Sequence, residues 1–131
     1  MTAKTPRATH HPHVHFIAAT VNYNDAGIAG GVVIGTLPKG ALILSAGGNV
    51  ETAFNAATTN VLTLGLEDDS GFDNIVGASG FTEGTPGGYD VPAPLAPLTA
   101  AKDVKVSYTQ SGTAATTGKA HVFVAYIPRV Y

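Results

Sequence analysis

The sequence lacks cysteine and tryptophan and has few charged residues. Without cysteine, the chain can form neither a disulfide nor a thiolate metal site. Asp, Glu, Lys and Arg make up only 12% of the 131 residues, which is about half the usual share for soluble domains. A surface so poor in charge suits a protein that covers much of itself with partners. The net charge of -2 also excludes a basic field that would hold nucleic acid.

Long hydrophobic runs are absent as well. No apolar run approaches the roughly 20 residues that span a bilayer. Residues 1–12 are polar, include Pro6 and Pro12, and lack the apolar stretch of a secretory signal, so we expect them to form an extended arm. The length favours one domain, and we predict a single β-sandwich domain over residues 13–131.

The chain does contain a series of short strand-like segments. They are apolar or alternating runs separated by Gly, Pro, Asn and Thr, as in residues 31–45, 104–112 and 118–128. Gly47-Gly48 separates residues 41–46 from residues 49–54, which predicts either two strands or one long strand with a bulge at the glycine pair. Helical periodicity is nearly absent. Seven or eight such strands predict an all-β fold, a jelly-roll or related antiparallel β-sandwich with an extended N-terminal arm.

The last strand-like segment, residues 119–127, is apolar on both of its faces. Val122, Val124 and Tyr126 alternate with a second apolar set. A strand that is apolar on both faces is usually buried on both faces. In a sandwich, the second cover must come from another subunit, the arm or a long loop. We therefore predict a subunit interface on this second face, formed by His121, Phe123, Ala125 and Ile127.

Two clusters carry side chains that can bind metal ions. One is a histidine cluster made of His10, His11, His13 and His15. Imidazoles at positions 13 and 15 share a strand face and could hold zinc or nickel, or the segment could be a polar arm lying on a neighbouring surface. The acidic run over residues 67–73 could hold calcium, but it lacks the spacing of a calcium loop and a solvated turn is the alternative.

Catalytic motifs are missing. His121 could in principle serve a serine nucleophile, but no serine lies in a Gly-x-Ser-x-Gly motif, and a hydrogen-bonded interface histidine is the ordinary interpretation. No glycine-rich phosphate loop precedes a helix. We expect a protein that is not an enzyme and needs no cofactor and no metal.

Three segments together resemble a known family. They are residues 36–44 (Thr-Leu-Pro-Lys-Gly-Ala-Leu-Ile-Leu), residues 50–55 followed by Leu62-Thr-Leu-Gly65, and the closing residues 111–127. They are similar to the capsid decoration, or cement, proteins of tailed bacteriophages, of the trimeric jelly-roll type. The resemblance covers roughly residues 30–128. It implies a homotrimer on the capsid surface of the virion, with the major capsid protein as partner, no nucleic acid or membrane contact, and a role in bridging capsid subunits and stabilising the head.

Two segments are candidates for the capsid contact. They are the arm and its continuation, and the Gly- and Pro-rich stretch over residues 84–97, which is too long for a simple hairpin loop. The candidate contact residues are Arg7, His10, His11, His13, Tyr89, Pro92 and Pro94. Two alternatives remain: a head-fibre base or tail structural component, and a carbohydrate-binding β-sandwich module. The second would need an exposed aromatic platform, yet only 8% of residues are aromatic.

Overall fold

The computed structural model describes residues 13–92 and 96–129. In these ranges the chain forms seven β-strands and one short 3-10 turn. In chain order they are β1 (His15–Asn22), the 3-10 turn (Ile28–Gly30), β2 (Val32–Leu37), β3 (Leu42–Thr52), β4 (Thr59–Leu66), β5 (Gly87–Pro92), β6 (Lys102–Ser111) and β7 (Lys119–Ile127). The predicted arm over residues 1–12 lies outside the described residues, and the single domain over residues 13–131 stays a prediction.

The strands form two antiparallel sheets. The four-stranded sheet has the order β1-β7-β3-β5, and the three-stranded sheet has the order β2-β6-β4. Consecutive strands along the chain alternate between the two sheets, so each connection crosses from one sheet to the other. The predicted all-β sandwich is confirmed.

The core lies between the sheets and follows the alternation of the strands. In β6, Val104, Val106 and Tyr108 point inward, and they lie opposite the buried leucines of β4. Val122 and Val124 of β7 close the core from the four-stranded sheet. These side chains are almost completely removed from water, and each contributes roughly 1.5–3 kcal/mol by its burial. The binary pattern that the sequence predicted for residues 104–108 is therefore the core pattern.

A long loop over residues 67–86 closes the free edge of β4. Three alternate backbone N–H groups of this edge strand would otherwise lack partners. The Leu62 N–H donates to Glu83 Oε2 at 2.7 Å, the Leu64 N–H to the Val76 carbonyl at 3.1 Å, and the Leu66 N–H to Asn74 Oδ1 at 2.8 Å. An exposed edge strand can pair with another chain, and the loop prevents such pairing at β4.

The same loop covers part of the outer face of the three-stranded sheet. Phe72 has a φ of 48°, and its backbone lies where a side chain at Gly65 would stand. Lys105 Nζ lies 4.9 Å from the centre of the Phe72 ring. Beside it, the 3-10 turn accepts a hydrogen bond from Ser107 Oγ through the Ala29 carbonyl at 3.3 Å. Both faces of this sheet therefore contact other parts of the chain.

Strand β3 differs from the sequence expectation in where it is irregular. It runs without interruption through Gly47 and Gly48, and its register with β7 shifts instead between Ile43 and Ser45 and between Val50 and Thr52. The predicted bulge at the glycine pair is therefore wrong. A close approach between strands explains the glycine at position 47, because a Cβ there would collide with the Tyr89 carbonyl oxygen of the neighbouring strand.

Candidate interaction surface

The two apolar sets of side chains in β7 lie on opposite faces of the four-stranded sheet, as the sequence pattern predicts. β7 is a central strand between β1 and β3. Val122 and Val124 point into the core, whereas the four candidate interface residues lie on the opposite, outer face of the four-stranded sheet. The structure therefore brings His121, Phe123, Ala125 and Ile127 together on one surface. Their role as a subunit interface stays a prediction.

Strand β1 extends this surface on one side. Phe16 lies opposite Ala125, and Ala18 lies opposite Phe123. The rings of Phe16 and Phe123 meet edge to face with their centroids 6.3 Å apart. The Phe16 side chain is nevertheless 64% exposed, which is unusual for a large aromatic residue in a strand.

Strand β3 extends the surface on the other side. Leu42 lies opposite Ile127, and Gly47 lies opposite Phe123. We call Phe16, Ala18, Leu42, Phe123, Ala125 and Ile127 the outer apolar patch. Leu44, at the β3 register shift beside it, is 40% exposed. Within the patch, Phe16 and Ala18 are exposed, Leu42, Phe123 and Ile127 are half-buried, and Ala125 is buried. Exposed apolar side chains grouped in this way mark interaction sites.

The other end of the same outer face is polar. His121 Nδ1 lies 3.0 Å from Thr20 Oγ1, and its Nε2 lies 3.4 Å from Glu51 Oε2. Lys119 Nζ lies 3.2 Å from the same carboxylate oxygen. The hydrogen bond from Lys119 and its charge lower the pKa of Glu51. His121 is thus hydrogen-bonded, as expected, and its partners are a threonine and a glutamate rather than the serine of a catalytic triad.

Two of the three described capsid-contact candidates, His13 and Pro92, lie toward one end of the four-stranded sheet, whereas Tyr89 pairs with Gly48 in the middle of β3. His13 lies two residues before the start of β1, whose His15 pairs with Tyr126 near the end of β7. Pro92 ends β5 and pairs with Ser45, which in turn pairs with Ala125. Strands β1 and β5 are the two edges of this sheet, three inter-strand spacings apart, or about 14 Å. The remaining candidates Arg7, His10, His11 and Pro94 lie outside the described residues.

Tyr89 uses its side chain within the protein. It packs on Phe81 with ring centroids 6.0 Å apart. Its hydroxyl donates to the Thr85 carbonyl at 2.8 Å and to the Thr82 carbonyl at 3.2 Å. Tyr89 therefore fastens the 67–86 loop to β5, and its assignment to a capsid contact stays a prediction.

The acidic run has internal partners rather than a common centre. Lys102 Nζ donates to Asp68 Oδ2 at 2.6 Å, and this hydrogen bond lowers the pKa of Asp68. The Asp73 N–H donates to Asp69 Oδ2 at 2.8 Å, and the Asp69 carboxyl beside it raises the pKa of Asp73. Across the part of the chain that the structure describes, no three histidine or carboxylate side chains are grouped to hold a metal ion.

Sequence reasoning missed two contributors to these surfaces. Phe16 is not among the interface residues that the sequence predicts, although it belongs to the outer apolar patch. Its signal was the strand alternation combined with the apolar second face of residues 119–127. Glu83 had no role before the structure placed its carboxylate on the β4 edge. Among the described helical residues, no helix is long and apolar enough to cross a membrane.

Comparison with known proteins finds likeness in structure but not in sequence. No protein-family model and no curated protein matches the chain. A chain of the cyanophage Pam1 capsid asymmetric unit superposes with a TM-score of 0.64 at 16% identity, covering 97% of this chain and 93% of that one. A chain of the Ralstonia phage GP4 capsid gives 0.59 at 18% identity, with coverages of 98% and 93%.

A third match is a chain of the acidic stable capsid of Helicobacter pylori bacteriophage KHP30. Its TM-score is 0.57 at 19% identity, with coverages of 87% and 86%. The chain shares its fold with chains of three phage capsids. Because the aligned part covers similar shares of both partners, the matched chains are close to this one in length.

Proposed function

We propose that this protein is a structural component of a bacteriophage virion that decorates the head and stabilises it by bridging major capsid protein subunits. The observation that carries the proposal is the fold shared, over nearly the whole chain, with similarly sized chains of three phage capsids. The low charge content supports it, because a protein covered by partners needs little charged surface. In this role the protein lies on the capsid surface.

The outer apolar patch supports a proposal for self-association. We assign it, together with His121, to contacts between copies in a homotrimer. Phe16 and Phe123 provide aromatic side chains of the kind enriched at the centre of interfaces. The pairing of Lys119 with Glu51 leaves little net charge at the polar end of the same face, so one copy does not repel another there.

The second proposed surface contacts the shell. We assign Arg7, His10, His11 and His13 on one side and Tyr89, Pro92 and Pro94 on the other to the major capsid protein. Among the described members of this set, His13 and Pro92 support a common footprint because they lie toward the same end of the four-stranded sheet, whereas Tyr89 lies farther along β5. Three copies joined in a trimer would multiply weak single contacts through effective concentration. The proposed role involves no catalysis, no cofactor and no metal.

Purified virions provide the test of this function. Virions of the phage that encodes the chain are banded on a density gradient, treated with chelator, and analysed for the chain and its copy number relative to the major capsid protein. We expect the chain to remain on intact heads, in a fixed ratio that is a multiple of three per attachment point. Its absence from washed virions, or its presence only in tail or fibre fractions after head–tail separation, would overturn the proposal.

A further inference from the structure

The four edge strands of the sandwich differ in how well their edges are protected. Edge strands carry unpaired backbone groups that pair readily with another chain unless a loop, bulge, charge or proline prevents it. The 67–86 loop occupies the edge of β4. The register of β2 shifts between Val33 and Gly35. Strand β5 contains Gly87, Gly88, Asp90 and Pro92 in only six residues.

Strand β1 has none of these protections among the described residues. Its eight residues pair with β7 in one unbroken register. It contains no glycine, no proline and no Asp, Glu, Lys or Arg. It is also the strand that carries the most exposed large apolar side chain, Phe16. A regular, uncharged edge with exposed apolar side chains is the kind of edge to which a further strand can be added.

The hydrogen bonds at the end of β1 show which backbone groups face outward. The Tyr23 N–H donates to the Gly118 carbonyl at 3.0 Å and so continues the ladder with β7. The Asn22 N–H instead donates to Asp25 Oδ2 at 2.8 Å. Because antiparallel ladders alternate residue by residue, the N–H and C=O groups of Phe16, Ala18 and Thr20 point away from β7. Within residues 13–92 and 96–129, no backbone–backbone hydrogen bond outside the ladder with β7 involves Phe16, Ala18 or Thr20.

We propose that this free edge of β1 receives an extended segment of the major capsid protein as an added strand. The inference rests on the proposed function, since it specifies a backbone contact between this protein and the capsid shell. The segment carries no charged residues. Its backbone N–H and C=O groups pair with those of Phe16, Ala18 and Thr20, and its apolar side chains lie on the same face of the sheet as the outer apolar patch. Three N–H and three C=O groups then gain partners without any change in the sandwich.

A second copy of this chain is a poorer occupant. It would have to offer a free edge of its own, and its β2, β4 and β5 edges are bulged, covered or interrupted. The remaining option pairs β1 with β1 around a two-fold axis. A two-fold contact of this kind produces a closed dimer and cannot produce the proposed trimer. The uncovered edge is therefore assigned to the shell rather than to a neighbouring copy.

Proline at position 18 tests the edge directly. Ala18→Pro removes an N–H that the ladder with β7 does not use, so the fold tolerates it as edge strands tolerate proline. Ala18→Ser is the matched control, because it keeps the N–H and changes the side chain only slightly. The full-length variants are titrated against empty heads of the encoding phage. We expect Ala18→Pro to bind about tenfold or more weakly than Ala18→Ser, because both variants change the same position of the outer apolar patch and only the proline removes the N–H.

Hydrogen exchange on the unmodified protein gives a second readout that does not depend on the variant folding. In the free protein, we expect slow exchange for the amides of Ile17, Ala19 and Val21, which face β7, and fast exchange for those of Phe16, Ala18 and Thr20. On heads, the second set becomes protected. Tight binding by Ala18→Pro, or unchanged fast exchange at these three amides on heads, would reject the edge and leave the decoration role standing.

The remaining outcomes also decide the matter. If the unmodified protein does not bind heads, both the edge assignment and the proposed function are rejected. If Ala18→Pro converts an unmodified dimer into a monomer, the edge pairs copies of this chain and the assignment to the capsid protein is wrong.

Discussion

At the scale of single residues, the Glu83 carboxylate connects the 67–86 loop to β4, and its burial disfavours the charged form. Burial raises the pKa of the Glu83 carboxyl above its ordinary value of 4.5, and the hydrogen bond from the Leu62 N–H opposes this rise. The folded state therefore holds the Glu83 proton more tightly than the unfolded state. This contribution to stability is fully present below pH 4.5 and is lost as pH rises through the folded pKa.

Glu83→Gln removes this titration and keeps an oxygen that can accept from Leu62. We expect the free energy of unfolding of the variant, relative to the unmodified protein, to increase between pH 4 and pH 7, as measured by urea unfolding. Glu51→Gln is a control of opposite sign, since Lys119 lowers the pKa of this exposed carboxyl and its stabilisation is lost as pH falls. A parallel pH dependence for Glu83→Gln and the unmodified protein would contradict the account.

A second residue-scale prediction concerns the glycines of the four-stranded sheet. A Cβ at Gly47 would collide with the Tyr89 carbonyl, whereas a Cβ at Gly88 would meet nothing within 4 Å. We expect Gly47→Ala to lower the free energy of unfolding by about 1–3 kcal/mol because β3 and β5 must separate. Gly88→Ala should change it by less than about 0.5 kcal/mol. Equal effects of the two variants in urea unfolding would show that the close approach is not a constraint.

At the scale of elements, the sequence predicted what is local. The alternation of Val104, Val106 and Tyr108 indicated the core face of β6, and the two apolar sets of residues 119–127 indicated a strand with a second apolar face outside the core of the sandwich. Both follow from the period of two that a strand imposes on its side chains. Other features depend on contacts between residues far apart in sequence, and no local pattern indicates them. These features are the pairing of β3 with β5 and β7 and the alternation of consecutive strands between the two sheets.

The 67–86 loop shows the same limit. For its first seven residues the sequence predicted a calcium site or a solvated turn, and for the rest it predicted no contact. The structure uses the loop to close the β4 edge through Glu83, Val76 and Asn74. Only the three-dimensional placement of β4 as an edge creates the need for those acceptors. For the candidate surface, the sequence identified the β7 members of the outer apolar patch and missed Phe16, because its partner strand lies about a hundred residues away.

At the scale of the whole molecule, the outer apolar patch predicts association. Phe123→Asp places a carboxylate at the centre of the patch while leaving the core between the sheets intact. We expect the unmodified protein to sediment as a trimer at micromolar concentration and Phe123→Asp as a folded monomer, because burying an unpaired charge in the interface costs about 2–5 kcal/mol per copy. Thr109→Asp, an exposed position on the other sheet, is the control. A well-folded monomer for the unmodified protein would reject the trimer.

The proposed role of this protein is to strengthen a phage head. The most direct measurement compares heads with and without the protein during heating, with DNA packaged and chelator present, and records the temperature at which DNA is released. The account predicts that decorated heads release their DNA at a higher temperature than bare heads, and that adding the purified protein back to bare heads restores the difference. Equal release temperatures for decorated and bare heads would contradict it.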